Sequence, residues 1–165
     1  MKKLFSLLLA VTISAAVCAK EYQYSLGLVA GLGLGAQFKV MVMPHFTIID
    51  EFGYFLNPDG GTGAYSGMLD NLVLAWQDKA AEGQGIRLDY YAGGQLKVGY
   101  GVGNFGILGF GAAAGIEAIM INAPIAFSFD FRPGYAVALA SGGGGGVFAA
   151  NMFDWSFNLG VRYTF

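Results

Sequence analysis

His45 and Cys18 occur once each in this 165-residue sequence, and their ordinary chemistry lies nearest to neutral pH. A histidine that activates a serine needs the hydroxyl and an orienting carboxylate beside it. His45 instead follows Met43 and Pro44 in a short link between two alternating segments, and reads as a turn residue. Cys18 lies in an N-terminal apolar segment and has no second cysteine to pair with. Glycine clusters at 31–35 and 101–103 have the composition of a phosphate loop, but neither opens a helix or leads into Lys-Ser or Lys-Thr. The run Asp-Gly-Gly-Thr-Gly at 59–63 carries one carboxylate, too few for calcium. No cofactor or metal site is expected. What remains is a set of charged side chains: Lys39, Arg87, Lys97, Arg132 and Arg162 against Glu51, Asp89, Glu117, Asp130 and Asp154. Equal numbers of the two signs have the chemistry of mutual ion pairing.

These residues acquire a common direction once the backbone period is read. From 153 to 165 the odd positions are Phe, Trp, Phe, Leu, Val, Tyr and Phe, and the even positions are Asp, Ser, Asn, Gly, Arg and Thr. Period-two alternation of this kind marks a strand with one apolar face. Residues 125–137 repeat it, and the same test finds segments at 22–30, 34–42, 46–55, 69–78, 86–100 and 106–120. Eight strands are therefore predicted, each of roughly the nine or more residues that a tilted strand needs to cross a bilayer. The links at 43–45 and 122–124 are tight, whereas those at 57–67 and 139–149 are long. All long loops then fall at one end, the pattern of outer-membrane barrels. The link at 79–85 is long for the tight-turn end, and the one near Gly103 and Asn104 is short for the other.

Composition narrows the class. The chain holds 27 glycines, 15% aromatic and only 12% charged residues, with a mean hydropathy of +0.53. Disorder needs more charge and fewer aromatics, and collagen needs glycine at every third position. A soluble domain would carry more Lys and Glu, and helices tolerate this much glycine poorly, least of all the five in a row at 142–146. Lys2 and Lys3, an apolar run at 4–17 and Val-Cys-Ala at 17–19 form a secretory signal peptide over residues 1–19, cleaved after Ala19. Residues 20–165 are then one barrel domain. Cleavage removes the cysteine and two of the nine basic residues; seven remain against eleven acidic ones, a net charge of −4 that gives nucleic acid no footing.

The interior of an eight-stranded barrel is just wide enough for side chains. A face of Phe, Tyr, Trp and Leu is too large for that space, and a face of Gly, Ala and Ser with a few long polar chains fits it. The expected fold class is all-β: an eight-stranded antiparallel up-and-down transmembrane β-barrel, bulky face outward. Its lumen holds the charged residues as a structural network. Tyr22, Tyr24, Trp76, Tyr90, Tyr163 and Phe165 form one aromatic girdle, and Tyr54, Tyr100, Tyr135, Phe153 and Trp155 the other. Asp50 is the exception: alternation points it at lipid beside the inward Glu51. Either a β-bulge re-aims the chain there or Asp50 lies near the membrane boundary.

The alternating end carried by Leu159, Val161, Tyr163 and Phe165 looks like the terminal assembly signal of outer-membrane barrels. Together with Tyr-Tyr-Ala-Gly-Gly at 90–94, Gly-Ile-Glu at 115–117 and Pro-Ile-Ala-Phe-Ser-Phe-Asp-Phe-Arg-Pro-Gly at 124–134, it makes the chain resemble a family of small, mostly uncharacterised outer-membrane β-barrel proteins from Bacteroidota. The likeness covers the second half well and the first loosely, and the third strand departs from it at Asp50. It implies a barrel of the OmpX or OmpA-barrel kind in the bacterial outer membrane, and no known reaction. The partners expected are outer-membrane lipid and, through the C-terminal strand, the barrel-assembly machinery; the protein is expected to be a monomer, with no identified extracellular partner. Three functional classes fit: a structural or surface-interaction barrel with a closed lumen, a narrow channel or small-molecule conduit, and a lipid A-modifying enzyme. The first is favoured, because His45 lies at the wrong end for the last and the charges balance.

Overall fold

The computed structural model describes residues 24–31, 33–57, 65–101, 105–141 and 147–165. The expected signal peptide at 1–19, Tyr22 and the tips of the long loops lie outside the described residues. Eight strands follow in chain order: β1 (Tyr24–Ala30), β2 (Gly33–Met43), β3 (Phe46–Asn57), β4 (Tyr65–Gly83), β5 (Ile86–Gly101), β6 (Phe105–Met120), β7 (Ile125–Ser141) and β8 (Val147–Thr164). Each pairs antiparallel with its neighbours in sequence, and β1 pairs with β8 to close the barrel.

The registers set its dimensions. Stepping across paired residues from Ala30 leads through Leu34, Tyr54, Met68, Tyr100, Gly106 and Leu139 to Ala149. On β8, however, the partner of Ala30 is Leu159, so one circuit climbs 159 − 149 = 10 residues. Eight strands with that stagger tilt by about 40° and enclose a backbone cylinder of about 8 Å radius.

Alternation decides which face each side chain takes. Outward positions carry a continuous apolar band, including Leu34, Leu96, Phe110, Tyr135, Leu159 and Phe165, all well exposed. Inward positions carry Gly, Ala, Ser and long polar residues with a few larger apolar ones, among them Val29, Ile49, Leu69, Val73 and Ile107, nearly all buried. An apolar band of this extent suits lipid rather than water.

The turns show where alternation was a poor guide. Residues 79–85 are not one long link: β4 continues to Gly83, and only Gln84 and Gly85 turn the chain. Their φ angles of 49° and 85° are those of a two-residue type I′ hairpin. A register shift between Lys79 and Ala81 breaks the period there, and Ala80, Ala81 and Glu82 have weak strand preference. Strands β7 and β8 also outrun expectation, to Ser141 and from Val147, so that the connection expected at 139–149 shortens to 142–146. At the tight-turn end Pro44 and His45 (φ 65°) link β2 to β3. The peptide N–H of Ile121, after β6, donates to Gly85 O at 2.8 Å, which ties two turns together.

Some inward glycines are required by close approach. A Cβ at Gly93 would overlap the Leu74 carbonyl on β4, and one at Gly27 the Val161 carbonyl on β8. Pro133 lacks an N–H, and the β6–β7 ladder is interrupted, without a change of register, between the pairs Gly111–Gly134 and Ala114–Phe131. At the closing seam Tyr24 N–H donates to Phe165 O (3.0 Å) and Phe165 N–H to Tyr24 O (2.8 Å).

A closed barrel resists detergent until heated. Unboiled protein in dodecyl sulfate should migrate faster on a gel than boiled protein; identical mobilities would count against the closed fold.

Candidate functional site: a charged network across the lumen

The lumen holds two ion pairs that reach from wall to opposite wall. In an eight-membered ring β3 faces β7 and β2 faces β6. Glu51 on β3 meets Arg132 on β7, accepting from both terminal guanidinium nitrogens, at 2.7 Å from Nη2. Lys39 on β2 donates to Glu117 on β6. The braces are therefore diametric, and each needs one long cation and one carboxylate to bridge the barrel.

The remaining contacts join them into one network. Arg132 Nε and Nη2 donate to Asp130 at 2.7 and 2.8 Å. Asp130 also accepts from Tyr91 Oη (2.6 Å) and Asn158 Nδ2 (3.0 Å). Arg162 donates to Glu117 and to Gln37 Oε1, while Gln37 Nε2 donates to Glu51, so Gln37 couples the two braces. Gln77 Nε2 donates to Glu117 (3.0 Å) and Asp89 (2.8 Å). Arg87, at the tight-turn rim, donates Nε and Nη2 to Asp89 at 2.7 and 2.6 Å. Arg132 is 0% exposed and donates from all three guanidinium nitrogens, as such burial requires; Arg162, 1% exposed, donates from its two terminal nitrogens.

Eight of the expected lumen residues lie in this network: Lys39, Glu51, Arg87, Asp89, Glu117, Asp130, Arg132 and Arg162. Lys97 is also buried and makes contacts of its own. The side chain of Asp154 lies outside what the structure describes; its backbone pairs with Gly134. The neutral members Gln37, Gln77, Tyr91 and Asn158 were not singled out from sequence, although each stands at an inward parity position.

The network leaves little reactive chemistry. Its carboxylates are each met by N–H or O–H donors, and among the described residues no group of three or more His, Cys, Asp or Glu could hold a metal ion. Toward the loop end, Leu69, Ile107 and Ala136 form an apolar cluster with Phe55 and Phe105 packed against it. At the tight-turn end two clefts, of about 510 and 270 Å³, open at the rim and share Arg87 as a lining residue. His45 is stacked on Trp76 (5.0 Å between centroids, 9° between planes) with Nδ1 3.4 Å from Asp78. No hydroxyl nucleophile is found among its contacts with the described residues.

The outer face carries a feature that sequence reading caught only in part. Asp50 keeps its alternation: β3 pairs in unbroken register with β2 and β4 on either side of it, so there is no bulge. It also lies away from the boundary, midway along β3 between the Phe46–Trp76 and Tyr54–Met68 pairs. The neighbouring strand places Asp70 on the same face, paired with Phe52 and so diagonal to Asp50. Alternation within β4 would have found Asp70, since Met68, Leu72 and Leu74 share its parity.

No protein-family model matches the chain, and no curated protein sequence matches it. Among solved structures, a major outer membrane protein from Thermus thermophilus is similar, with a TM-score of 0.49 and 12% identity over 88% of this chain and 100% of that one.

Two substitutions separate the inner and outer charges. Arg132→Met strands Glu51 and Asp130 in the interior and should cost about 3–5 kcal/mol of unfolding free energy in urea; a loss under about 1 kcal/mol would mean that the braces do not hold the lumen. Asp50→Leu removes a carboxyl from the apolar band and should add about 1–2 kcal/mol in bilayer refolding; destabilisation instead would contradict an unfavourable lipid-facing placement.

Proposed function

We propose that this chain is an integral barrel of the bacterial outer membrane with a closed lumen and a structural or surface-interaction role. The observation that carries the reading is the pair of diametric ion pairs, whose buried side chains occupy the cross-section that a solute would need. The apolar cluster of Leu69, Ile107 and Ala136 supports closure from the loop end. The exposed apolar band supports residence in lipid, and a barrel satisfies its backbone there without an edge. A barrel reaches the outer membrane by secretion, which fits the signal peptide read at residues 1–19.

The outward row of Leu159, Val161, Tyr163 and Phe165 fits an assembly signal read by the barrel-assembly machinery before the seam with β1 closes. Catalysis has no support in the site: His45 sits in a turn against Trp76 and Asp78, and the buried carboxylates are committed to cations.

Planar-bilayer recording tests this. The purified protein should give no single-channel steps above the lipid baseline. Robust steps that disappear on Arg87→Ala or Glu117→Gln would replace the closed barrel with a channel.

A further inference from the structure

The lumen network contains polar atoms that protein alone does not complete, and they fall into two complementary groups. Gln77 Oε1 and Arg162 Nε are buried without a partner among the described residues, one an acceptor and one a donor. They belong to opposite strands, β4 and β8, and both side chains converge on Glu117. The second group is Gln95 Nε2, Gln95 Oε1 and Asn71 Oδ1. Gln95 pairs with Val73 and Asn71 with Lys97, so the two are diagonal neighbours on one face of β4 and β5. Both are more than nine-tenths buried, at 5% and 6% exposure. They stand between the Glu51–Arg132 brace, to which Asn71 donates, and the apolar cluster at Leu69 and Ile107.

An amide with both of its polar atoms unpaired in a sealed interior is costly, and buried groups of this kind are normally satisfied. The complement of a donor and two acceptors on neighbouring side chains is a molecule that is itself donor and acceptor. The Gln95 amide reaches over β6 toward β7, where Gly111 and Gly134 leave the space beside it free of side chains. We propose that the lumen binds ordered water at two sites, one at the Gln95 amide beside Gly111 and Gly134 and one joining Gln77 to Arg162. Water is the ligand that needs no entry path wider than the closed lumen allows, and each site offers two unpaired polar atoms, Gln95 Nε2 and Oε1 at one and Gln77 Oε1 and Arg162 Nε at the other. The two sites rest on the closed-lumen reading and deepen it: the waters are fixed members of the network and not a conducting file.

Nuclear Overhauser spectroscopy on the protein in nanodiscs tests the sites directly. The Gln95 side-chain amide should show cross-peaks to water of long residence, and Gln95→Leu, close in volume, should lower the urea midpoint. Absent water cross-peaks at wild-type Gln95, or a Gln95→Leu midpoint equal to or above wild type, would overturn the proposal. The outcome is separable from conductance: a silent barrel with a dry Gln95 would sink the water sites and leave the closed lumen standing.

Discussion

A guanidinium cut off from solvent keeps its charge only if the protein supplies the hydrogen bonds that water would have provided. Arg132 is in that position, and much of the interior follows from it. Its partners must come from its own strand and from the opposite wall, because its neighbour across β8, Ser156, is too short to match a guanidinium. Asp130 supplies the first and Glu51 the second. Lys39 and Glu117 repeat the arrangement between β2 and β6, and Gln37 ties the two together. With a backbone radius of about 8 Å, two long side chains meeting head to head fill the diameter. Burying such pairs is not intrinsically more stabilising than burying apolar groups of equal size. What they provide is a fixed alignment of opposite walls, since each brace forms in one register of β2 with β6 and of β3 with β7.

The glycines make that alignment possible. A Cβ at Gly115 would stand 2.7 Å from Tyr91 Cζ and 2.6 Å from Asp130 Cβ, where the Tyr91–Asp130 hydrogen bond crosses the wall. One at Gly160 would stand 2.8 Å from Gln37 Oε1, the atom that accepts from Arg162. Glycine in a strand normally weakens it. Here the loss is offset because the space it leaves is taken by the side chains that brace the barrel. The high glycine content and the few, inward charges are therefore two aspects of one packing solution.

Alternation made the strands, their number and the face of each charged residue legible, because period two is a direct consequence of strand geometry. It failed where geometry departs from that period. The shift at Lys79 and Ala81 concealed the end of β4 and made a tight hairpin look like a long link. Partner identity was not legible at all. Sequence places Glu51 and Arg132 inward, and β3 faces β7 in an eight-stranded ring, but that they meet depends on their heights along the axis, which the stagger of the closed barrel sets. The neutral connectors Gln37, Gln77 and Tyr91 were passed over for the same reason: an inward amide or phenol becomes informative only once its neighbours across the lumen are known. Asp70 differs, since the rule that exposed Asp50 applies to it without change.

A lumen occupied by its own side chains confines the protein's encounters to its rims and outer face. At the tight-turn rim Lys79 is paired with Glu82 and Arg87 with Asp89, which reduces the field these charges present. The loop-end rim is uneven instead. β1 stops at Ala30 opposite Leu159, whereas β8 runs on to Val147 and β7 to Ser141. The unevenness comes from strand length: β1 and β2 have 7 and 11 residues, β7 and β8 have 17 and 18. Height on that side is thus a property of the backbone arrangement and does not depend on what the loop tips contain. On the outer face, the Asp50–Asp70 pair breaks an otherwise apolar band at mid-height. Neither the uneven rim nor the outer carboxyl pair fills the lumen or braces its walls, which separates both from the charges inside.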